Sequence, residues 1–152
     1  MTDVGFVLLK INNDKIYDDI LQTAKEFENN YPNNQIAIFN SYSEKINTYN
    51  LPIFHLNQSQ FFNGTLIIFD LPSIIVTNKF PNINKRILFA NNIPWQNNTQ
   101  TTYSEWLSLY NQDNLDIITS SQELYDIYSI CWKQPLGICE GFKYENVKKF
   151  IQ

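Results

Sequence analysis

The stretch Arg86-Ile87-Leu88-Phe89-Ala90-Asn91-Asn92-Ile93-Pro94-Trp95 leaves few folds open to this chain, because an apolar run stops abruptly at two amides, a proline and an indole. A short continuous apolar run bounded by turn residues reads as a strand buried on both faces, which delivers polar and aromatic groups to one edge of a sheet. The same design recurs at Val4 to Leu9, Gln35 to Phe39, Thr65 to Phe69, Leu115 to Ile118 and Leu136 to Cys139, with a shorter piece at Leu51 to His55.

Helical periodicity fills the intervals. From Lys15 the apolar positions Ile16, Tyr17, Ile20, Leu21, Ala24 and Phe27 recur at three- and four-residue spacing behind Asp14, a plausible N-cap, and the pattern stops near Asn29. Leu71 to Asn78 is a short helical connection opened by Pro72, and Thr101 to Tyr110 sets Tyr103, Trp106, Leu107 and Tyr110 on one face. Ser120 and Glu123 fit a capping box for a helix that turns Leu124, Ile127, Tyr128 and Cys131 inward. Leu56 to Asn63 reads as a turn or two of helix closed by Gly64, and Tyr144 to Ile151 is a last amphipathic segment. Strands alternating with helices predict one α/β domain over residues 1–152: a three-layer, Rossmann-like, mainly parallel sheet with helices on both faces.

Charge and motifs narrow the function classes. Lys and Arg number 11 against 15 acids, for a net charge of −4, which argues against a nucleic-acid binder that works by neutralising phosphates. The basic pairs Lys85-Arg86 and Lys148-Lys149 read as solvated faces. No run approaches the 18 apolar residues of a spanning helix, and the start lacks a signal-peptide pattern, so a cytoplasmic protein without membrane contact is expected. The glycines, at 5, 64, 137 and 141, fit neither a dinucleotide-binding nor a Walker A loop, and there is no Gly-x-Ser-x-Gly or His-Glu-x-x-His motif. No cofactor and no metal is therefore expected. Cys131 and Cys139 have neither zinc nor redox spacing and read as reduced thiols. The abundant asparagine matches an AT-rich coding sequence better than a functional tract.

In a parallel sheet, ligands bind beyond the carboxyl ends of the strands. The polar residues expected there are Asn12, Asn40, His55, Asp70, Asn91, Asn92, Thr119, Ser120 and Glu140. Such side chains suit a polyhydroxylated or amide-bearing ligand, although the same residue types also cap helices. His55 is the sole histidine and the candidate general base, with Asp70 or Glu140 as its orienting partner. Asn40, Asn91, Asn92, Ser120 and Glu140 are candidate ligand contacts, joined by Trp95, which can stack on a sugar or cover a pocket.

Leu51-Pro52-Ile53-Phe54-His55-Leu56, the run from Phe62 to Leu71, the strand and loop from Arg86 to Trp95, the run from Ile117 to Glu123, and Cys131 to Ile138 together resemble the N-terminal, Rossmann-like half of two-domain GT-B glycosyltransferases, as in related tailed-bacteriophage proteins. The resemblance spans roughly residues 4 to 145 and includes no diagnostic catalytic motif. It implies a glycosyltransferase-like domain that handles a nucleotide-sugar or a glycan acceptor in the host cytoplasm. GT-B enzymes hold the donor mainly through a second half, so the resemblance leaves open a degenerate binding module, a protein partner that supplies the other half, or a homodimer whose second subunit closes the cleft. The alternative is a non-catalytic, phage-type interaction protein that binds a host or phage protein.

Overall fold

A computed structural model describes residues 2–11, 14–43, 49–81, 83 and 85–151. Asn12, one of the expected strand-end residues, lies outside them. The described strands are β1 (Val4–Val7), β2 (Lys10–Ile11), β3 (Ile36–Asn40), β4 (Tyr42–Ser43), β5 (Ile53–His55), β6 (Thr65–Ile68), β7 (Lys85–Ala90), β8 (Leu115–Thr119) and β9 (Gly137–Ile138). The helices are α1 (Lys15–Asn30), α2 (Leu71–Thr77), α3 (Tyr103–Tyr110), α4 (Gln122–Cys131) and α5 (Tyr144–Ile151), with short 3-10 helices at Leu56–Phe61 and Pro94–Asn97.

Seven strands form one sheet in the order β5-β3-β1-β6-β7-β8-β9, and every pairing is parallel. The chain thus winds outward from β1 to one side and then, from β6, to the other. This is the doubly wound α/β arrangement that the alternating pattern predicted, with its switch point between β1 and β6. Beyond the main sheet, β2 pairs with β4 as a small parallel ledge that continues β1 and β3, an element the weak periodicity after Asn40 had concealed.

Each central strand is buried on both faces, and alternate residues feed two cores. Phe6, Ile38, Ile67, Ile87, Phe89 and Ile118 pack beneath α1 and α5 around Phe27, Phe142 and Val147. On the opposite face Val7, Phe39, Leu66, Ile68, Leu88 and Ile117 lie beneath Leu56, Ile74, Trp106, Tyr110 and Tyr128.

Several local expectations change. Arg86 is not on a solvated face: it is 1% exposed, and its Nη2 donates to the side-chain oxygens of Gln112 and, at 2.6 Å, Asn114. Burial without a carboxylate partner lowers its pKa. Polarity alone cannot place a residue whose neighbours on the strand are buried. Gly64 serves close packing rather than a left-handed helix end, since a Cβ there would stand 2.3 Å from the Asp3 carbonyl oxygen where the Thr65 N–H meets it. The N-cap of α4 is Ser121, whose Oγ accepts from the Leu124 N–H, and a full capping box occurs instead between Thr102 and Glu105 at α3. Both cysteines are free, Cys139 being buried with its thiol pKa pushed up to about 11 by desolvation.

Candidate functional site

All the strands of the main sheet end on one edge, so every predicted site residue on β3, β5 and after β6 to β9 is delivered there, but into three separate groups. Their neighbours follow from strand order, which no local pattern specifies.

Asn40 and His55 form the first group, side by side in register on β3 and β5. Asn40 is 6% exposed beneath the β2/β4 ledge, and its Nδ2 donates to the Tyr42 carbonyl at 3.1 Å. That position withdraws it from ligand contact. His55 Nδ1 accepts from the Asn57 N–H at 3.3 Å, while Gln58 Oε1 accepts from the His55 N–H at 3.0 Å. The imidazole is therefore the cap of the Leu56–Phe61 helix, and a neutral ring capping in this way carries its proton on Nε2.

Asp70 stands alone at the switch point. Its Oδ1 accepts from the Ser73 N–H at 2.8 Å, capping α2, and its Oδ2 accepts from the Leu9 N–H at 2.7 Å, just beyond β1. In nucleotide-binding sheets the backbone donors after the first strand are the ones that cradle phosphate. Here a carboxylate of the chain itself takes that place. Its negative field reaches Tyr17, whose pKa rises through desolvation first and the nearby Asp70 and Asp14 second.

The expected base and its partner are not brought together. Between β5 and β6 lie β3 and β1, which puts His55 and Asp70 about 14 Å apart at ordinary strand spacing. Asp70 and Glu140 are separated by β7 and β8 in the same way. Neither pair can share a proton across one hydrogen bond.

The third group is contiguous: Asn91 and Asn92 follow β7, Ser120 follows β8 and Glu140 follows β9, on three neighbouring strands. The Ser120 N–H donates to the Ala90 carbonyl at 3.0 Å, which holds the two loops together. Asn91, Asn92 and Glu140 are exposed. The backbone carbonyl of Asn92 accepts from Tyr128 Oη at 3.3 Å, and that of Glu140 from Asn146 Nδ2, so the backbone is anchored while the side chains face outward. Thr119 is fully buried, its hydroxyl donating to the Ser121 carbonyl.

Trp95 is placed differently from the open stacking platform its loop position allowed. Its ring meets Tyr128 at 4.9 Å, Trp132 at 5.1 Å, Tyr110 at 5.7 Å and Trp106 at 6.4 Å, all edge-on. Packing of this kind closes the end of the core. Desolvation in the same cluster pushes the Tyr110 pKa up to about 12 and raises that of Tyr128 further.

Among the described residues no group of His, Cys, Asp and Glu could hold a metal ion, and no helix is long and apolar enough to cross a membrane.

A feature that the strand-end rule could not find lies on the face of the sheet. A cavity of about 570 Å³ opens over β3 and β5, walled by Phe39, Phe54 and Phe62 and rimmed by Phe61. Its only advance signal was the shortness of the segment between β5 and β6.

The fold and edge define a doubly wound, Rossmann-like α/β domain with a polar strand edge. In comparisons with known proteins, no family model, curated protein or solved structure matches the chain.

Proposed function

We propose that this is a glycosyltransferase-like domain that binds a glycan of the acceptor kind and carries out no sugar transfer with its own residues. The observation that carries this reading is Asp70 at the switch point, where its carboxylate takes the Leu9 N–H. A nucleotide-sugar would bring a diphosphate to those donors and meet like charge. A neutral glycan brings hydroxyl groups, and the exposed Asn91, Asn92 and Glu140, with Ser120 beside them, offer donors and acceptors to match. The separation of His55 from Asp70 leaves transfer without a general base held by a carboxylate.

The test is thermal unfolding with neutral oligosaccharides and, separately, with nucleotide-sugars. A glycan at 100 times its dissociation constant adds about 2.7 kcal/mol of stability. The expected result is a shift with glycans, none with nucleotide-sugars, and no transfer product. Stabilisation by nucleotide-sugars alone, or turnover by the isolated chain, would sink the reading.

A second reading, a protein-binding module, is favoured by Ile130 at 85% and Leu136 at 50% exposure, on the segment running from α4 into β9. An Ile130→Asp, Leu136→Asp double variant that loses a protein partner while keeping any glycan shift separates the two readings.

A further inference from the structure

The groove over β3 and β5 has a definite structural origin. On the face of the sheet that carries α2, α3 and α4, the crossover from β5 to β6 is a 3-10 helix of six residues, Leu56–Phe61. Leu56 and Ser59 turn inward, and the helix is too short to roof the strands beneath it. The rings of Phe39, Phe54 and Phe62 are left as a connected wall, with Phe39 at 5.9 Å from Phe54 and 5.4 Å from Phe62.

Gly5 builds that wall. A Cβ at this position would stand 2.6 Å from Leu66, 2.9 Å from Phe39 and 3.3 Å from Phe62, so only glycine lets both rings settle against the sheet. Phe54 remains 43% exposed and Phe61 80%, which is unusual for phenylalanine and leaves stacking surface open to a ligand.

Polar groups converge on the same space. Gln35 is exposed at its mouth, and Gln58, whose Oε1 is held by the His55 N–H, keeps its amide N–H groups for donation. Glu28 is the single charged residue of the lining, and it pairs with Lys25. With no cation in the lining, phosphate or carboxylate ligands find no counter-charge there. Phenyl faces flanked by amides that both donate and accept suit the apolar and hydroxyl-bearing sides of a neutral sugar ring. The volume is within the range of small-molecule sites.

The neighbouring strand edge is poorly suited to pairing with another strand. β5 has three residues, Pro52 before it has no N–H, and the His55 N–H is already taken by Gln58. An added strand therefore finds few backbone partners at β5, and the open surface there is the groove.

We infer that the Phe39, Phe54, Phe61 and Phe62 groove is a neutral-oligosaccharide subsite on the face of the sheet, distinct from the strand ends. This inference rests on the glycan reading above and adds a location that the strand-end rule does not provide.

The experiment is a screen of the intact chain on an array of neutral oligosaccharides, followed by titration of the best binder monitored by backbone and side-chain amide NMR. Wild type is compared with Phe61→Ala, Phe54→Ala and an Asn91→Ala, Asn92→Ala variant, all checked for unchanged Tm. The expected result is saturable shifts at Gln35 and Gln58 and binding at least tenfold weaker in Phe61→Ala and Phe54→Ala. Binding that survives in both Phe variants and is lost in the Asn91, Asn92 variant overturns the groove and leaves the glycan reading standing. No glycan bound at all overturns both. A concentration-dependent dimer abolished by Phe61→Ala, without glycan shifts, assigns the groove to self-association and likewise overturns the inference.

Discussion

One face of the sheet carries two aromatic clusters with opposite fates. Over β7 and β8, Trp106 and Tyr110 of α3, Tyr128 of α4, Trp132 just after it and Trp95 interlock, and Trp106 and Tyr110 are almost fully buried. Over β3 and β5, the Phe39 ring touches those of Phe54 and Phe62, yet Phe54 and the nearby Phe61 stay open to solvent. The difference lies in the crossovers above them: full helices on one side and a six-residue 3-10 helix on the other. Aromatic content alone therefore does not mark a binding site. An open aromatic surface arises where the connection is too short to cover the rings.

The largest expected effect breaks the closed cluster. Trp106→Ala removes a buried indole and is expected to destabilise by about 3–5 kcal/mol in denaturant unfolding. A loss below about 1 kcal/mol would mean that the cluster is not a packed core.

Alkaline pH tests the same cluster from another side. The folded Tyr110 pKa, about 12, lies above the ordinary value of 10.0, so its stabilising contribution is complete below 10.0 and is lost as pH rises through about 12. Two units correspond to about 3 kcal/mol. Tyrosinate absorbance should show a late step coincident with unfolding, which Tyr110→Phe should diminish.

Gly5→Ala carries the comparison into the open half. The added methyl forces Phe39, Phe62 or Leu66 to move and should cost about 1–3 kcal/mol by calorimetry, with the groove reshaped. The smallest effect belongs to Phe61→Ala. At 80% exposure its loss should change stability by no more than about 0.5 kcal/mol, and a larger loss would show that Phe61 packs inward.

Much of the fold was legible along the chain. The apolar runs and the three- and four-residue periodicity located the main-sheet strands and the helices, with α5 matching to the residue at Tyr144–Ile151, because buried parallel strands and amphipathic helices impose those periods directly. The site was legible only as a list. His55, Asp70 and Glu140 were rightly assigned to one edge, but their spacing across it depends on strand order, a property of the whole sheet. Arg86 shows the same limit, since its burial depends on the loop carrying Gln112 and Asn114, more than twenty residues away in sequence.

By itself the sequence determined an α/β chain whose strands end in polar residues, since hydrophobic period and capping chemistry act over a few residues. Only the tertiary structure decided which of those residues are neighbours, which are engaged as caps, and where the sheet is left uncovered. Those outcomes depend on how strands are ordered and how far each crossover reaches, and both are set by packing between segments distant in the chain.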